Sequence, residues 1–186
     1  MKILPVCLFC AITFCVIPAS AQIRYNNNNQ LLKPDNYREW IWLSSGMGMS
    51  YLPAAAGKEN PDPPFDNVFV NPEAYRAFLK TGTWPDKTIF ALEVRSSAHK
   101  GSINESGHFQ GDVIGLEFHV KDEKRFPGKW AFFGFHGAAT TADQIPVKES
   151  CYSCHQDHGA LDTTFAQFYP TIREVAKQKG TLKSER

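Results

Sequence analysis

Ile89-Phe90-Ala91-Leu92-Glu93-Val94 decides the fold class of this chain. Its residues alternate with a period of two, so Phe90, Leu92 and Val94 share one side of a strand. Two stretches further along read the same way. Val113 to Val120 puts Ile114, Leu116, Phe118 and Val120 on one face, with Glu117 and His119 on the other. Trp130-Ala131-Phe132-Phe133-Gly134-Phe135-His136 follows as a strongly aromatic strand. Residues 99–111, rich in Gly, Ser and Asn, are a hairpin connection, and Pro127-Gly128 turns the chain before Trp130. Short links between such strands predict an antiparallel sheet.

Upstream, Asp35 or Asn36 caps a short helical turn that leads into Ile41, Trp42 and Leu43. Residues 52–67 read as a Pro-rich loop, and Val68-Phe69-Val70 as a short strand. Asn71-Pro72-Glu73 then opens a helix, with Asn71 as N-cap and Pro72 in its first turn; that helix stops near Gly82. A terminal helix is expected from Pro170 to about Lys179. With no repeat and no second domain, residues 22–186 are expected to form one α+β domain, an antiparallel sheet with flanking helices.

The 20 basic side chains nearly balance the 19 acidic ones, for a formal charge of +1. That balance points to neither nucleic acid nor an anionic membrane surface as partner. Aromatic residues make up 13% of the chain, enough for a dense core or an apolar cofactor pocket.

Residues 1–21 are set aside as a signal peptide. Lys2 precedes an apolar run from Ile3 to Ile17, and Ala19-Ser20-Ala21 fits an A-x-A cleavage site before Gln22. The run falls short of the ~20 residues needed to span a bilayer. Export, to the periplasm or otherwise out of the cytoplasm, is therefore expected. Cleavage removes Cys7, Cys10 and Cys15, leaving Cys151 and Cys154 in an oxidising compartment.

Those two residues belong to Cys151-Tyr152-Ser153-Cys154-His155, a C-x-x-C-H sequence of the kind that attaches c-type haem. The spacing has a chemical reason. Two thiols add to vinyl groups on neighbouring pyrroles, two residues arc between them, and the next His reaches under the ring to ligate iron. A structural zinc site would need further ligands, and no other cysteine survives. A thioredoxin-like redox pair would follow a strand in a βαβ unit, which is lacking here. One covalent haem is thus expected, with His155 as the metal ligand.

Other side chains are candidates for the space around the iron. Phe90 and Leu92 form an apolar wall, or simply core. Glu117 is a candidate acid–base group if burial raises its pKa. His136 is the best candidate for a sixth ligand or a distal base. Met47 and Met49 are possible axial ligands. His158 is expected to be exposed, and His99, His108 and His119 read as loop or surface residues.

The mature chain also resembles the cytochrome P-460 family, which includes cytochrome c′-beta. The matching stretches begin with Lys33-Pro34-Asp35-Asn36-Tyr37-Arg38-Glu39-Trp40 and Val68-Phe69-Val70-Asn71-Pro72-Glu73-Ala74-Tyr75. Lys80 to Asp86, Gly111 to Glu117, Lys121 to Phe126, Trp130 to Phe133, the haem motif and Phe168-Tyr169-Pro170 follow in order. The resemblance implies a mainly β fold around a five-coordinate haem, usually in a homodimer. It also implies two branches. Cytochromes P-460 oxidise hydroxylamine and carry a lysine cross-linked to the haem edge, at the position held here by Leu92, before Glu93. Lys87 precedes the strand by a register that does not match. The family's distal arginine has no counterpart in Phe65-Asp66-Asn67-Val68. Both losses turn the expectation toward the c′-beta branch, which binds small gases such as nitric oxide or passes electrons to a partner protein. A haem enzyme acting on hydroxylamine, other nitrogen species or peroxide, with Glu117 or His136 as acid–base, is the alternative.

Overall fold

The alternation at residues 89–94 is the first part of a longer strand at the centre of a sheet. The computed structural model describes residues 23–50 and 60–183, so the expected signal segment lies outside the described residues. Strands β2 (Ile41–Met47), β3 (Phe65–Val70), β4 (Ile89–Ala98), β5 (Phe109–Lys121) and β6 (Trp130–Phe135) form an antiparallel sheet in that order. A two-stranded sheet pairs β1 (Leu31–Leu32) with β7 (Thr141–Ala142). Three α-helices, α1 (Pro72–Thr81), α2 (Ser150–His158) and α3 (Pro170–Gln178), and two 3₁₀ turns, Tyr37–Glu39 and Ala166–Phe168, complete the described elements. The fold is α+β and mainly β. None of these helices is long and apolar enough to cross a membrane.

The short helical turn expected before Ile41 is a 3₁₀ turn at Tyr37–Glu39 with Asn36 at its N-cap position, and Ile41, Trp42 and Leu43 begin a strand. Two expectations need correction. The loop read over 52–67 gives way to strand at Phe65, where Asn67 Nδ2 donates to Gln110 Oε1 at 2.7 Å across the sheet. Strand β5 begins at Phe109 rather than Val113. Helix α1 starts and stops as its sequence predicts, with Pro72 in the first turn and Gly82 left-handed at φ 73° after it. Asn71 spends its side chain differently, however: Oδ1 accepts from the Ile89 backbone N–H at 2.9 Å, tying the helix entrance to β4.

Both faces of the sheet are covered. Ile89, Ala91, Phe118, Val120 and Phe133 pack on one side against Leu31, Tyr37 and Trp40. Phe90 and Val70 face the other way, toward Ala74 and Phe78 of α1, Ile172 and Ala176 of α3, and the segment around Phe165. The strands therefore read as near-continuous apolar runs, and the two predicted apolar faces of β4 and β5 belong to opposite sides.

Candidate functional site

The sheet register builds one wall of a cavity. Val70, Phe90, His119 and Phe132 lie side by side across β3 to β6, and Ser44, Val68, Leu92, Glu117 and Gly134 form the next row across β2 to β6. Both rows face the same side because they are two residues apart along each strand. Against them stands α2. Cys151, Cys154 and His155 are spaced i, i+3 and i+4, which places them on one helix face. All three line the cavity, of about 620 Å³, together with Val68, Leu92 and Phe165. That is within the ~300–1,000 Å³ usual for cofactor sites.

The imidazole of His155 is held on several sides. Its ring centroid lies 4.3 Å from Phe165, 4.6 Å from Phe132 and 5.0 Å from His119. Nδ1–H donates to the Thr163 carbonyl at 2.8 Å. That bond fixes the tautomer and leaves the Nε2 lone pair for a metal, the arrangement by which ligating histidines are oriented. Burial pushes the His155 pKa down, against the upward pull of the Thr163 carbonyl.

A strained loop presents that carbonyl. Asp162 and Thr163 have φ of 46° and 61°, a left-handed conformation costly for a β-branched residue. Asp162 Oδ2 accepts from Lys121 Nζ at 2.6 Å, and Lys121 also donates to the Trp84 carbonyl. Thr164 Oγ1 donates to the Leu161 carbonyl and accepts from Trp84 Nε1–H. Gly159 allows the close approach of α2 to this loop, since an added Cβ would stand 2.5 Å from the His155 carbonyl oxygen and 2.8 Å from Thr163. The sequence offered no local signal for this support, because its parts are ~40–80 residues apart and meet only in the fold.

The expected site residues do not all meet at one place. Phe90, Leu92, Glu117, Cys151, Cys154 and His155 are brought together around the cavity. Met49 also lines it, whereas Met47 does not. His136 is exposed and is not a lining residue; an added Cβ on Gly134 would lie 3.8 Å from its Nε2, which puts the ring near the rim beside Glu117. His119, read from the sequence as a surface residue, is buried. It stacks on Phe132 at 4.0 Å, and its Nε2 has no hydrogen-bond partner among the described residues. The misreading assumed that the polar face of β5 meets solvent, but in this sheet it meets the cavity. His158 is exposed, as expected.

Charge concentrates at the mouth. Glu117 keeps solvent contact there, yet crowding by the walls raises its pKa; the charge of His136 lowers it and that of Asp66 raises it further. Burial also raises the pKa of Asp66. The Cys151 thiol is pushed up by burial and by Glu117. Among the described residues lining the cavity there is no lysine. Lys87 pairs instead with Asp122, 2.5 Å away, outside the cavity lining.

Two thiols and an oriented imidazole on one helix face, above an apolar cavity, fit a haem by donor set and by volume. No curated protein matches the sequence. The family model for cytochrome P-460 matches residues 34–166, a span that includes every strand of the main sheet, all of the cavity lining but Phe168 and Tyr169, and the loop carrying Thr163. The chain therefore belongs to the cytochrome P-460 family and is a haem-binding cytochrome.

Proposed function

We propose that this chain is an exported mono-haem c-type cytochrome with a five-coordinate iron, which binds a small gas such as nitric oxide or transfers electrons. Haem would be held by thioethers to Cys151 and Cys154 and by Nε2 of His155. One observation carries the reading. The three residues share a face of α2 and open onto a cavity whose sheet wall is apolar at Leu92 and Val68.

When bound, the haem supplies an iron that takes a diatomic ligand or exchanges an electron. The chain's own residues do the rest. Each thiol adds across one vinyl double bond: a sulfur–carbon bond forms, the thiol hydrogen goes to the neighbouring carbon, and no net oxidation occurs. Thr163 holds the Nδ1 proton of His155 and so keeps Nε2 turned and basic. Leu92 and Val68 exclude water and offer no hydrogen-bond donor. Dioxygen gains more from such a donor than nitric oxide does, which favours nitric oxide here.

Leu92 also supports this reading over hydroxylamine oxidation, since it stands where the resemblance puts a cross-linking lysine. A second reading has one observation in its favour. Glu117 and Asp66, both with raised pKa, sit at the cavity mouth, where a protonated carboxyl could serve acid–base chemistry on hydroxylamine or peroxide. The apolar segment 3–17 and the Ala19-Ser20-Ala21 site support export to the periplasm. A homodimer and a redox partner protein belong to the same proposal.

Optical titration of the reduced protein with nitric oxide tests it. The expected result is a five-coordinate high-spin spectrum that converts fully on adding nitric oxide. Turnover of hydroxylamine with a strongly red-shifted Soret band, or a six-coordinate spectrum indifferent to nitric oxide, would overturn it.

A further inference from the structure

A second cluster of ligating side chains lies away from the haem cavity, at the far end of the β4–β5 hairpin. The sheet register brings it together. Ala98 pairs with Phe109, so the next residues outward, His99 and His108, face each other with ring centroids 5.7 Å apart. Phe65 pairs with Arg95, which carries the chain before β3 back along β4 and delivers Asp62 to the same place. His99 Nδ1 lies 2.6 Å from Asp62 Oδ1, and His108 Nε2 lies 3.9 Å from that oxygen. One ligand atom from each residue falls within 4.8 Å of both others.

We propose that Asp62, His99 and His108 form a binding site for a borderline-soft divalent cation of the zinc and copper class. Two imidazoles and one carboxylate match the preference of these ions, whereas calcium and magnesium call for oxygen ligands alone. The distances require only small adjustments. With metal–ligand bonds of ~2.0–2.1 Å, tetrahedral ligand atoms stand about 3.3 Å apart. The His99–Asp62 pair opens slightly as the metal replaces their shared proton, and His108 closes by a similar amount.

The surroundings suit such a site. Asn104 Nδ2 donates to the His99 carbonyl at 2.8 Å and to the Gly107 carbonyl at 3.2 Å, bracing the hairpin on both sides of the cluster. Ser97 Oγ donates to the Pro63 carbonyl, which pins the segment carrying Asp62. His108 Nε2–H donates to the Pro61 carbonyl at 2.8 Å, so ligation through Nε2 shifts that proton to Nδ1 and frees the carbonyl as a candidate fourth ligand. An adjoining cleft of about 470 Å³, lined by Pro61, His99 and His108, leaves room for water as well. Without a metal, the His99–Asp62 ion pair and the His108–Pro61 hydrogen bond hold these side chains together, so the cluster is already assembled for a cation.

Equilibrium dialysis of tag-free, haem-loaded protein against micromolar zinc, followed by elemental analysis, tests the proposal. Wild type is expected to retain one zinc per chain, and H99A/H108A none. H108Q and D62N are expected to weaken zinc binding about ten-fold or more, because lost ligands cost at least what lost supporting partners do. H158A, which removes an exposed histidine elsewhere, is expected to match wild type. Zinc retention by H99A/H108A equal to wild type, loss in H158A, or no uptake by wild type would each overturn the site. An unchanged haem spectrum confirms that each variant is folded. If the double variant folds poorly, H108Q decides alone, since its side chain is on the surface.

Discussion

The two faces of the central sheet treat their polar groups in opposite ways. On the closed face, Glu93 is buried, and its carboxylate accepts from Tyr37 Oη at 2.5 Å, from Arg38 Nε at 2.8 Å and from Arg95 Nε at 2.5 Å. On the cavity face, one strand over, His119 keeps a buried Nε2 with no partner among the described residues, and crowding raises the pKa of Glu117 at the solvent-facing mouth. Neighbouring strands thus contribute a satisfied carboxylate to one side and an under-satisfied imidazole to the other. A buried polar atom left without a partner costs ~1–3 kcal/mol. Stability is built on the closed face, and the cavity face gives some of it up to keep space and chemistry for a cofactor.

The sharpest way to break this comparison is to hollow out the closed face. F118A removes a fully buried ring that contacts Tyr37, Trp40 and Phe135. It is expected to cost about 3–5 kcal/mol in denaturant unfolding while haem binding in the surviving fold is retained. G159A comes next. Its Cβ would meet backbone atoms of His155 and Thr163, which cannot swing aside, so a loss of about 3 kcal/mol is expected. Unlike F118A, it should also alter the haem spectrum, because the Thr163 carbonyl moves relative to His155.

E93Q sharpens the contrast through pH. Burial would raise the Glu93 pKa, but hydrogen bonds from Tyr37, Arg95 and Arg38 outweigh it and hold the carboxyl below its ordinary range. The folded-state pKa is depressed, so the stabilisation is present above the unfolded carboxylate pKa and is lost as pH falls through the folded value. Wild type is expected to lose stability on acidification below the usual carboxylate range. E93Q should be about 2 kcal/mol less stable at neutral pH and should lose less on acidification. L92A is expected to have the smallest effect on unfolding, about 1 kcal/mol, because Leu92 is only half-buried on the cavity wall. Its effect should instead appear in the release rate of nitric oxide.

Much of this was legible in the sequence for local reasons. Period-two alternation marked β4 and most of β5, Pro72 and Gly82 bounded α1, and the C-x-x-C-H spacing singled out the helix that carries the site. Strand β2 was hidden because its register shifts between Trp42 and Ser44, which breaks the alternation. The start of β3 was hidden because Asp66 and Asn67 look like loop residues. They are carried in a strand by pairing with Val94 and Glu93. His119 was misjudged because alternation tells which residues share a face, not what covers that face. The clamp of Lys121, Asp162 and Thr164 behind His155 left no trace at all, since it depends on tertiary contact alone.

The intact mass of the purified, denatured protein tests the central claim most directly, compared between wild type and C151A/C154A after expression with a c-type maturation system. Wild type is expected to carry the added mass of one haem beyond the chain from Gln22 onward, resistant to acid–acetone extraction, and the double variant none. A wild-type mass equal to the bare chain, or lower by two hydrogen atoms from a Cys151–Cys154 disulfide, would contradict it.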